Sequence, residues 1–147
     1  MLICIVQQDG PCNASASDSP HFEIFEAPYL INQDPLPLRN TEGTSIFIVL
    51  LSPFSLGTVR LASSNPWSNA LVDPKVLSDP RDVELYVAAF KKTLKIVNQP
   101  EFSKYLKRKI QPGPLSTDEE IADYVRKEIV TTYHPAGTCK VCVYFGT

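Results

Sequence analysis

The sequence predicts an α+β fold, an antiparallel sheet with helices packed on one side, from the order of its periodic segments. Extended segments rich in β-branched and aromatic residues occupy the first half of the chain, and capped amphipathic helices occupy the second. The chain has 147 residues, 44% of them hydrophobic, which suits one globular domain.

Three segments carry the strand prediction. Residues 21–26 alternate, with Phe22 and Ile24 on one side and glutamates opposite, as in a half-buried strand. Residues 45–51 form a continuous β-branched and aromatic run, which is typical of a strand buried on both faces. Residues 58–63 alternate again after a turn at 52–57, so we expect this strand to pair with the preceding one as an antiparallel hairpin.

The first helix has a clear start signal at residues 79–82. Asp79 can cap the helix, Pro80 suits its first position, and Asp82 is expected to face the positive end of the helix dipole. Apolar residues at steps of three and four then predict a core-facing stripe that ends before Pro100. The stripe consists of Val83, Tyr86, Val87, Phe90, Leu94 and Val97.

Two further helices are predicted, the first a short one over residues 101–109. The other begins at Ser116, where Ser116 and Glu119 have the spacing of a capping box. Its inner face is formed by Ile121, Tyr124, Val125 and Ile129. Residues 1–20 show no sustained period and are expected to be a poorly ordered tail.

Charge and hydropathy argue against several classes of partner. The net charge of −2 gives no long-range attraction to nucleic acid or to an anionic membrane. A basic stretch from Lys91 to Lys109 lacks interleaved aromatic platforms, so we interpret it as a solvated helix face and expect no nucleic-acid partner. No segment has the roughly 18 to 20 apolar residues that cross a bilayer, and residues 2–6 are too short for a signal peptide. We expect a soluble protein; its compartment and oligomeric state stay open.

Cysteines and histidines are too few for a disulfide framework or a zinc site. The four cysteines lie near the two ends of the chain: Cys4, Cys12, Cys139 and Cys142. The last two have the spacing of a redox pair but lack a βαβ setting, so we do not expect dithiol chemistry. The chain has only two histidines, His21 and His134, and no four-ligand zinc site can be assembled from closely spaced pairs. No metal is therefore expected.

One segment combines residues suited to proton transfer, at the point where the third helix gives way to a loop. It reads Tyr133-His134-Pro135-Ala136-Gly137-Thr138-Cys139. Pro135 restricts the backbone next to His134, and Gly137 permits a close backbone approach. An imidazole held in this way can take a proton from an alcohol if the hydride has an acceptor nearby. On local pattern alone, however, a capping or packed histidine at a helix end is the better supported interpretation.

This segment resembles the His-Pro-x-Gly-Thr-Cys stretch in the C-terminal substrate domain of the glucose-methanol-choline (GMC) oxidoreductases. The similarity extends through residues 57–66, Asp73-Pro74, residues 77–82 and the capped helix at Ser116, all in the family's order. Several linked motifs in the right order are more specific than any one of them. The resemblance implies that residues 21–139 are part of such a domain, flanked by the tail at 1–20 and an atypical tail at 140–147.

The resemblance also implies a function. GMC enzymes oxidise an alcohol to an aldehyde or ketone while a hydride passes to FAD, which carries the redox chemistry. By this resemblance His134 is the general base that takes the hydroxyl proton, and Tyr133 lines the substrate pocket. The expected partner is a small alcohol, whose identity the sequence does not specify.

Two family features are missing from the sequence. The six glycines contain no Gly-x-Gly-x-x-Gly turn, so FAD is not expected to bind this chain alone. The family's second catalytic residue, His or Asn, normally lies some tens of residues beyond the first motif, and residues 140–147 do not resemble the family's continuation. We therefore expect a fragment that is inactive alone, and we hypothesise that its last residues reflect an error in the gene model. The alternative is a non-catalytic, stand-alone binding module derived from such an enzyme.

Overall fold

The computed structural model describes residues 2–3, 20–30, 42–110, 112–115, 117–134 and 136. Within these residues the chain forms short strands and three helices, which confirms the α+β class. In chain order they are β1 (Leu2–Ile3), β2 (Phe22–Ala27), β3 (Ser45–Leu50), β4 (Thr58–Arg60), β5 (Leu71–Asp73), α1 (Pro80–Val97), α2 (Pro100–Ser103), α3 (Asp118–Glu128) and β6 (Val130–Thr131).

The sheet at the core is the antiparallel pair β2–β3. Its register places Phe22 opposite Leu50. Residues 47–50 of β3 are all buried, so both faces of this strand are covered, as its apolar run predicted. On β2, Phe22 and Ile24 are half-buried and the glutamates are exposed, which confirms the predicted alternation.

Helix α1 begins where its sequence signals placed it and lies on β3. The Asp79 side chain accepts a hydrogen bond from the Arg81 N–H at 3.0 Å. Tyr86 is 1% exposed, and its hydroxyl accepts a hydrogen bond from the Leu50 N–H at 3.3 Å. The buried core joins β3, α1 and α3 through Ile48, Leu50, Val83, Tyr86, Val87, Ala89, Phe90, Ile121, Ala122 and Val125. Each large apolar side chain buried there contributes about 1.5–3 kcal/mol to stability.

The capping box of α3 lies one residue later than predicted. Thr117 Oγ1 accepts a hydrogen bond from the Glu120 N–H at 3.2 Å, and the Glu120 carboxylate accepts one from the Thr117 N–H at 3.0 Å. Thr117 and Glu120 satisfy the same motif as the predicted Ser116 and Glu119. Ser116 itself lies outside the described residues. The predicted inner face is retained, because Ile121 and Val125 are buried.

The second helix is much shorter than predicted. It spans Pro100–Ser103 rather than residues 101–109, and its residues include none that are buried. Four cations follow in residues 104–109, where like charges three or four positions apart destabilise a helix. Without an apolar face to bury, propensity alone does not extend so short a helix.

The predicted hairpin between residues 45–51 and 58–63 is wrong. β3 pairs with β2, and β4 pairs antiparallel with β5, placing Thr58 opposite Asp73. The close approach of these two segments depends on Gly57, since a Cβ there would lie 2.6 Å from the Asp73 carbonyl oxygen and 2.7 Å from Pro74 Cα. We call residues 58–73, which include β4 and β5, the ribbon.

The short strand β1 runs parallel to β6, with Leu2 opposite Val130 and Ile3 opposite Thr131. These two residues belong to the stretch predicted as a tail; the rest of residues 1–19 lies outside the described residues, so the tail stays a prediction. Among the described helices, none has the length and apolar character needed to traverse a bilayer.

Candidate functional site

The segment that leads to His134, formed by α3 and β6, is anchored to the rest of the fold. Helix α3 ends at Glu128, Ile129 is already extended, and Val130–Thr131 continue as β6. The C-terminal part of α3 is fixed by Val125, which is fully buried, and by an edge-to-face contact between Phe90 and Tyr124 with ring centroids 5.8 Å apart. Burial, followed by the nearby Glu128 carboxylate, raises the pKa of Tyr124.

Pairing with β1 holds the other side of this segment. The parallel ladder matches Ile3 with Thr131, three residues before His134. β1 also contacts β3, so β6 is connected to the buried sheet as well as to α3. The backbone leading to His134 is thus attached at two places.

A strained turn separates β6 from the histidine. Tyr133 has a φ of 61°, in the left-handed region, where a residue with a Cβ loses roughly 1–2 kcal/mol. The Tyr133 N–H donates a hydrogen bond to Thr131 Oγ1 at 3.0 Å, which holds the turn from its preceding strand. Strained backbone of this kind clusters at functional sites, where surrounding contacts keep it in place.

The two predicted site residues lie together on the surface. His134 is exposed, so it is not a packed core histidine, and Tyr133 is 66% exposed. Between them and β6, the Thr132 hydroxyl is buried without a hydrogen-bond partner among the described residues. Pro135, Gly137 and the rest of the predicted loop to Cys139 lie outside the described residues, as do all four cysteines.

Neither a surface depression nor a metal-binding cluster in the described part of the chain includes His134. An open depression of about 490 Å³ lies on the ribbon, lined by Thr58, Arg60, Leu71, Val72, Asp73 and Lys75, and His134 is not part of it. Within the same described part of the chain, no three His, Cys, Asp or Glu side chains converge on a possible metal position.

Asp82 lies in the first turn of α1, as predicted, and has a second role that was not predicted. It is 1% exposed and accepts hydrogen bonds from the Phe54 N–H at 2.7 Å, the Ser55 N–H at 2.9 Å and the Ser55 hydroxyl. Ser55 Oγ in turn accepts a hydrogen bond from the Asp79 N–H at 3.0 Å. The sequence gives no local signal of this contact, because its partners lie in a separate segment.

Arg81 also links the loop after β3 to the start of α1, on the solvent side of the Asp82 contacts. Its guanidinium lies 3.9 Å from the centroid of the Phe54 ring and donates two hydrogen bonds to Asp79, at 2.9 and 2.6 Å. The Arg81 side chain, followed by its backbone N–H, lowers the pKa of Asp79 to about 2. The loop after β3 and the start of α1 therefore form one connected unit before the ribbon begins.

Comparison with known proteins gives a consistent result. A family model described as GMC oxidoreductase matches residues 53–142. The chain is 34% identical over 125 residues to alcohol dehydrogenase (acceptor) of Pseudomonas putida, a match covering 84% of the chain and 23% of that protein. It is 31% identical over 130 residues to oxygen-dependent choline dehydrogenase of Sinorhizobium fredii, covering 88% of the chain and 24% of that protein. It is also 40% identical over 90 residues to choline oxidase of Arthrobacter globiformis, a match covering 59% of the chain and 16% of that protein. The chain spans a quarter or less of the length of these relatives.

Proposed function

Because the chain belongs to the GMC oxidoreductase family, we propose that it is part of the substrate-binding domain of an FAD-dependent enzyme that oxidises an alcohol to an aldehyde or ketone. The observation that carries the proposal is the position of His134. It is an exposed imidazole, one residue beyond a strained turn, on a backbone held by α3 and by the β1–β6 ladder. This is the arrangement that a proton-accepting group facing a separately bound substrate requires.

In this proposal a ring nitrogen of His134 accepts the proton of the substrate hydroxyl as the alcohol becomes a carbonyl compound. FAD, when bound in the complete enzyme, supplies the acceptor for the hydride that leaves the carbinol carbon. The exposed ring of Tyr133 lines the substrate side of His134. The names of the relatives, alcohol dehydrogenase and choline dehydrogenase, favour a small alcohol as the substrate.

The residues of this chain do not provide a binding site for the FAD phosphates. A dinucleotide needs a glycine-rich turn that opens a helix after a strand, and the six glycines never occur at the required spacing. We therefore assign FAD binding to a separate domain of the complete enzyme.

The surface of the ribbon supports packing against such a second domain. A two-stranded antiparallel pair has only marginal stability in water on its own. Here Leu61 is 86% exposed and Trp67 is 90% exposed, and further apolar side chains on both strands are exposed as well, namely Val59, Leu71 and Val72. Apolar surface of this extent marks an interaction site.

The first test is the coding sequence on both sides of this segment. The proposal expects an upstream segment that encodes a Gly-x-Gly-x-x-Gly turn. In the complete enzyme, His134→Ala should lower kcat about 10²- to 10⁴-fold, the range contributed by a general base, without changing the flavin absorbance spectrum. His21→Ala is the matched control, because it removes the other histidine of these 147 residues. Full turnover in His134→Ala would remove the base assignment, and a reading frame without any dinucleotide domain would remove the enzyme assignment.

A second test addresses the isolated chain. We expect it to be colourless, inert with alcohols, and prone to self-association through the ribbon. The double variant Leu61→Ser, Trp67→Ser should associate less, as measured by sedimentation velocity. A monomeric isolated chain with a cooperative unfolding transition would instead support the stand-alone binding module.

A further inference from the structure

Half of the cations of this chain lie in one short stretch. Residues 91–109 contain seven of the fourteen Lys and Arg residues but only one carboxylate, Glu101. The cations are Lys91, Lys92, Lys95, Lys104, Lys107, Arg108 and Lys109. This stretch therefore carries a net charge of +6 in a chain whose total is −2, so the remaining residues together carry −8. The overall charge conceals a strong separation of charge.

The fold brings the two parts of this stretch together. Lys109 Nζ donates a hydrogen bond to Asn98 Oδ1 at 3.1 Å, and Asn98 is the C-cap of α1. Residues 104–110 thus return to the C-terminal end of α1 after the short helix α2. We call the exposed surface formed by residues 91–110 the basic face.

Several cations of the basic face are not used within the fold. Lys91 pairs with Asp118 at 2.5 Å, and Lys92 lies 5.8 Å from the centroid of the Phe22 ring. Ion pairs between described residues involve neither Lys95 nor Lys107 nor Arg108. All three are exposed, so their charges are available to a partner.

Apolar side chains stand among these charges. Tyr105 is 78% exposed, Ile110 is 53% exposed and Ile96 is 45% exposed. Tyr105 offers a nucleobase one ring, but the two isoleucines offer none, and a phosphodiester backbone gives them no apolar surface to contact. The interface of an anionic bilayer accepts both types of group, because phosphates and carboxylates bind the cations while the apolar side chains enter the headgroup region.

We propose that the basic face binds peripherally to the surface of a bilayer that contains anionic phospholipids. The residues outside the basic face carry the opposite net charge, so an anionic surface attracts the basic face and not the rest of the chain, although Asp118 of α3 lies beside Lys91 at its edge. This separation orients the protein with the C-terminal end of α1 toward the lipid. The proposal concerns a different surface from His134 and does not depend on FAD or on catalysis.

The test is flotation of the 147-residue chain with vesicles through a density gradient, in which protein that self-associates without lipid stays at the bottom. We expect binding to phosphatidylcholine vesicles containing about one third phosphatidylserine, no binding to pure phosphatidylcholine, and release as salt shortens the Debye length from about 10 to 3 Å. The triple variant Lys104→Gln, Lys107→Gln, Arg108→Gln should bind the anionic vesicles about a hundredfold more weakly. All three side chains are exposed, so the variant should keep the fold, which circular dichroism checks.

Two controls separate this surface from others. Arg60→Gln, Lys75→Gln, Lys127→Gln removes the same charge elsewhere and should bind like the unchanged chain. The ribbon variant Leu61→Ser, Trp67→Ser should also bind unchanged. Three results would overturn the proposal. The charge control could lose as much vesicle binding as the triple variant, the unchanged chain could bind neutral and anionic vesicles equally, or it could bind a DNA duplex more tightly than anionic vesicles. In the last case the partner would be a nucleic acid.

Discussion

The N–H of Ser55 donates a hydrogen bond of 2.9 Å to the carboxylate of Asp82, which lies 27 residues further along the chain. The Ser55 hydroxyl also donates to this carboxylate and accepts from the Asp79 N–H. The loop after β3 is thereby attached to the first turn of α1, at a buried position. Because the ribbon follows this loop directly, the attachment determines where β4 leaves the core.

Replacing Asp82 should therefore be strongly destabilising. Asp82→Ala leaves the partly buried N–H of Phe54 and the buried N–H and hydroxyl of Ser55 without their acceptor. Each unsatisfied buried donor costs about 1–3 kcal/mol. We expect the free energy of unfolding, measured by urea titration, to fall by about 3 kcal/mol. Asp123→Ala removes an exposed acid on α3 and should change it by less than about 1 kcal/mol. Similar small losses for both variants would contradict the role of Asp82.

A methyl group at Gly57 should disturb the pairing of the ribbon. The added carbon would meet backbone atoms of Asp73 and Pro74 at 2.6 to 2.9 Å, and backbone cannot rotate away as a flexible side chain can. Gly57→Ala should lower the unfolding free energy by about 1–3 kcal/mol. Gly113→Ala is the matched control, since its Cβ would have no atom within 4 Å, and it should be neutral or slightly stabilising. A neutral Gly57→Ala would show that the two segments separate without cost.

The Asp79 carboxyl should titrate far below its ordinary range. Its pKa is lowered from 3.8 to about 2, chiefly by the hydrogen bonds from Arg81. A carboxyl with a lowered pKa adds stability that is present above pH 3.8 and is lost as the pH falls through about 2. NMR titration should place its midpoint near 2, and Arg81→Met should return it toward 3.8. Arg126→Met, which removes a cation from α3, should leave the midpoint of Asp79 unchanged.

The turn before His134 should depend on the hydroxyl of Thr131. Thr131→Val removes the acceptor of the Tyr133 N–H while keeping a β-branched side chain in β6. Loss of this hydrogen bond, worth about 1 kcal/mol, should make the Tyr133 amide hydrogen exchange roughly fivefold faster with solvent. Thr131→Ser keeps the hydroxyl and should retain slow exchange. In the complete enzyme, Thr131→Val should have a lower kcat than Thr131→Ser, with little change in flavin binding. Equal kcat values for the two variants would argue against a positioning role for Thr131.

Local signals were sufficient for the elements whose causes lie within a few residues. Asp79 and Pro80 define the start of α1 through contacts inside its first turn, and the run in β3 is apolar enough to predict burial on both faces. The sequence could not decide between Ser116 and Thr117 as the N-cap of α3. Two adjacent hydroxyl residues are followed by two adjacent glutamates, so either pair has the spacing of a capping box.

The candidate site was predictable by resemblance only. Nothing in the spacing around His134 distinguishes a base from a capping histidine, whereas the ordered motifs indicate the family. The left-handed conformation of Tyr133 could not be anticipated, because tyrosine has no preference for it and neighbouring contacts impose it.

Composition and periodicity alone established an α+β chain with a capped helix α1 and a buried strand β3, because these properties depend on residues that are neighbours in sequence. Three-dimensional packing was needed to pair β3 with β2, to pair β4 with β5, and to bury Asp82 against Ser55. Strand partners and buried polar contacts join segments tens of residues apart. Their choice depends on which arrangement buries the apolar faces while pairing the buried backbone groups, and that is a property of the whole fold.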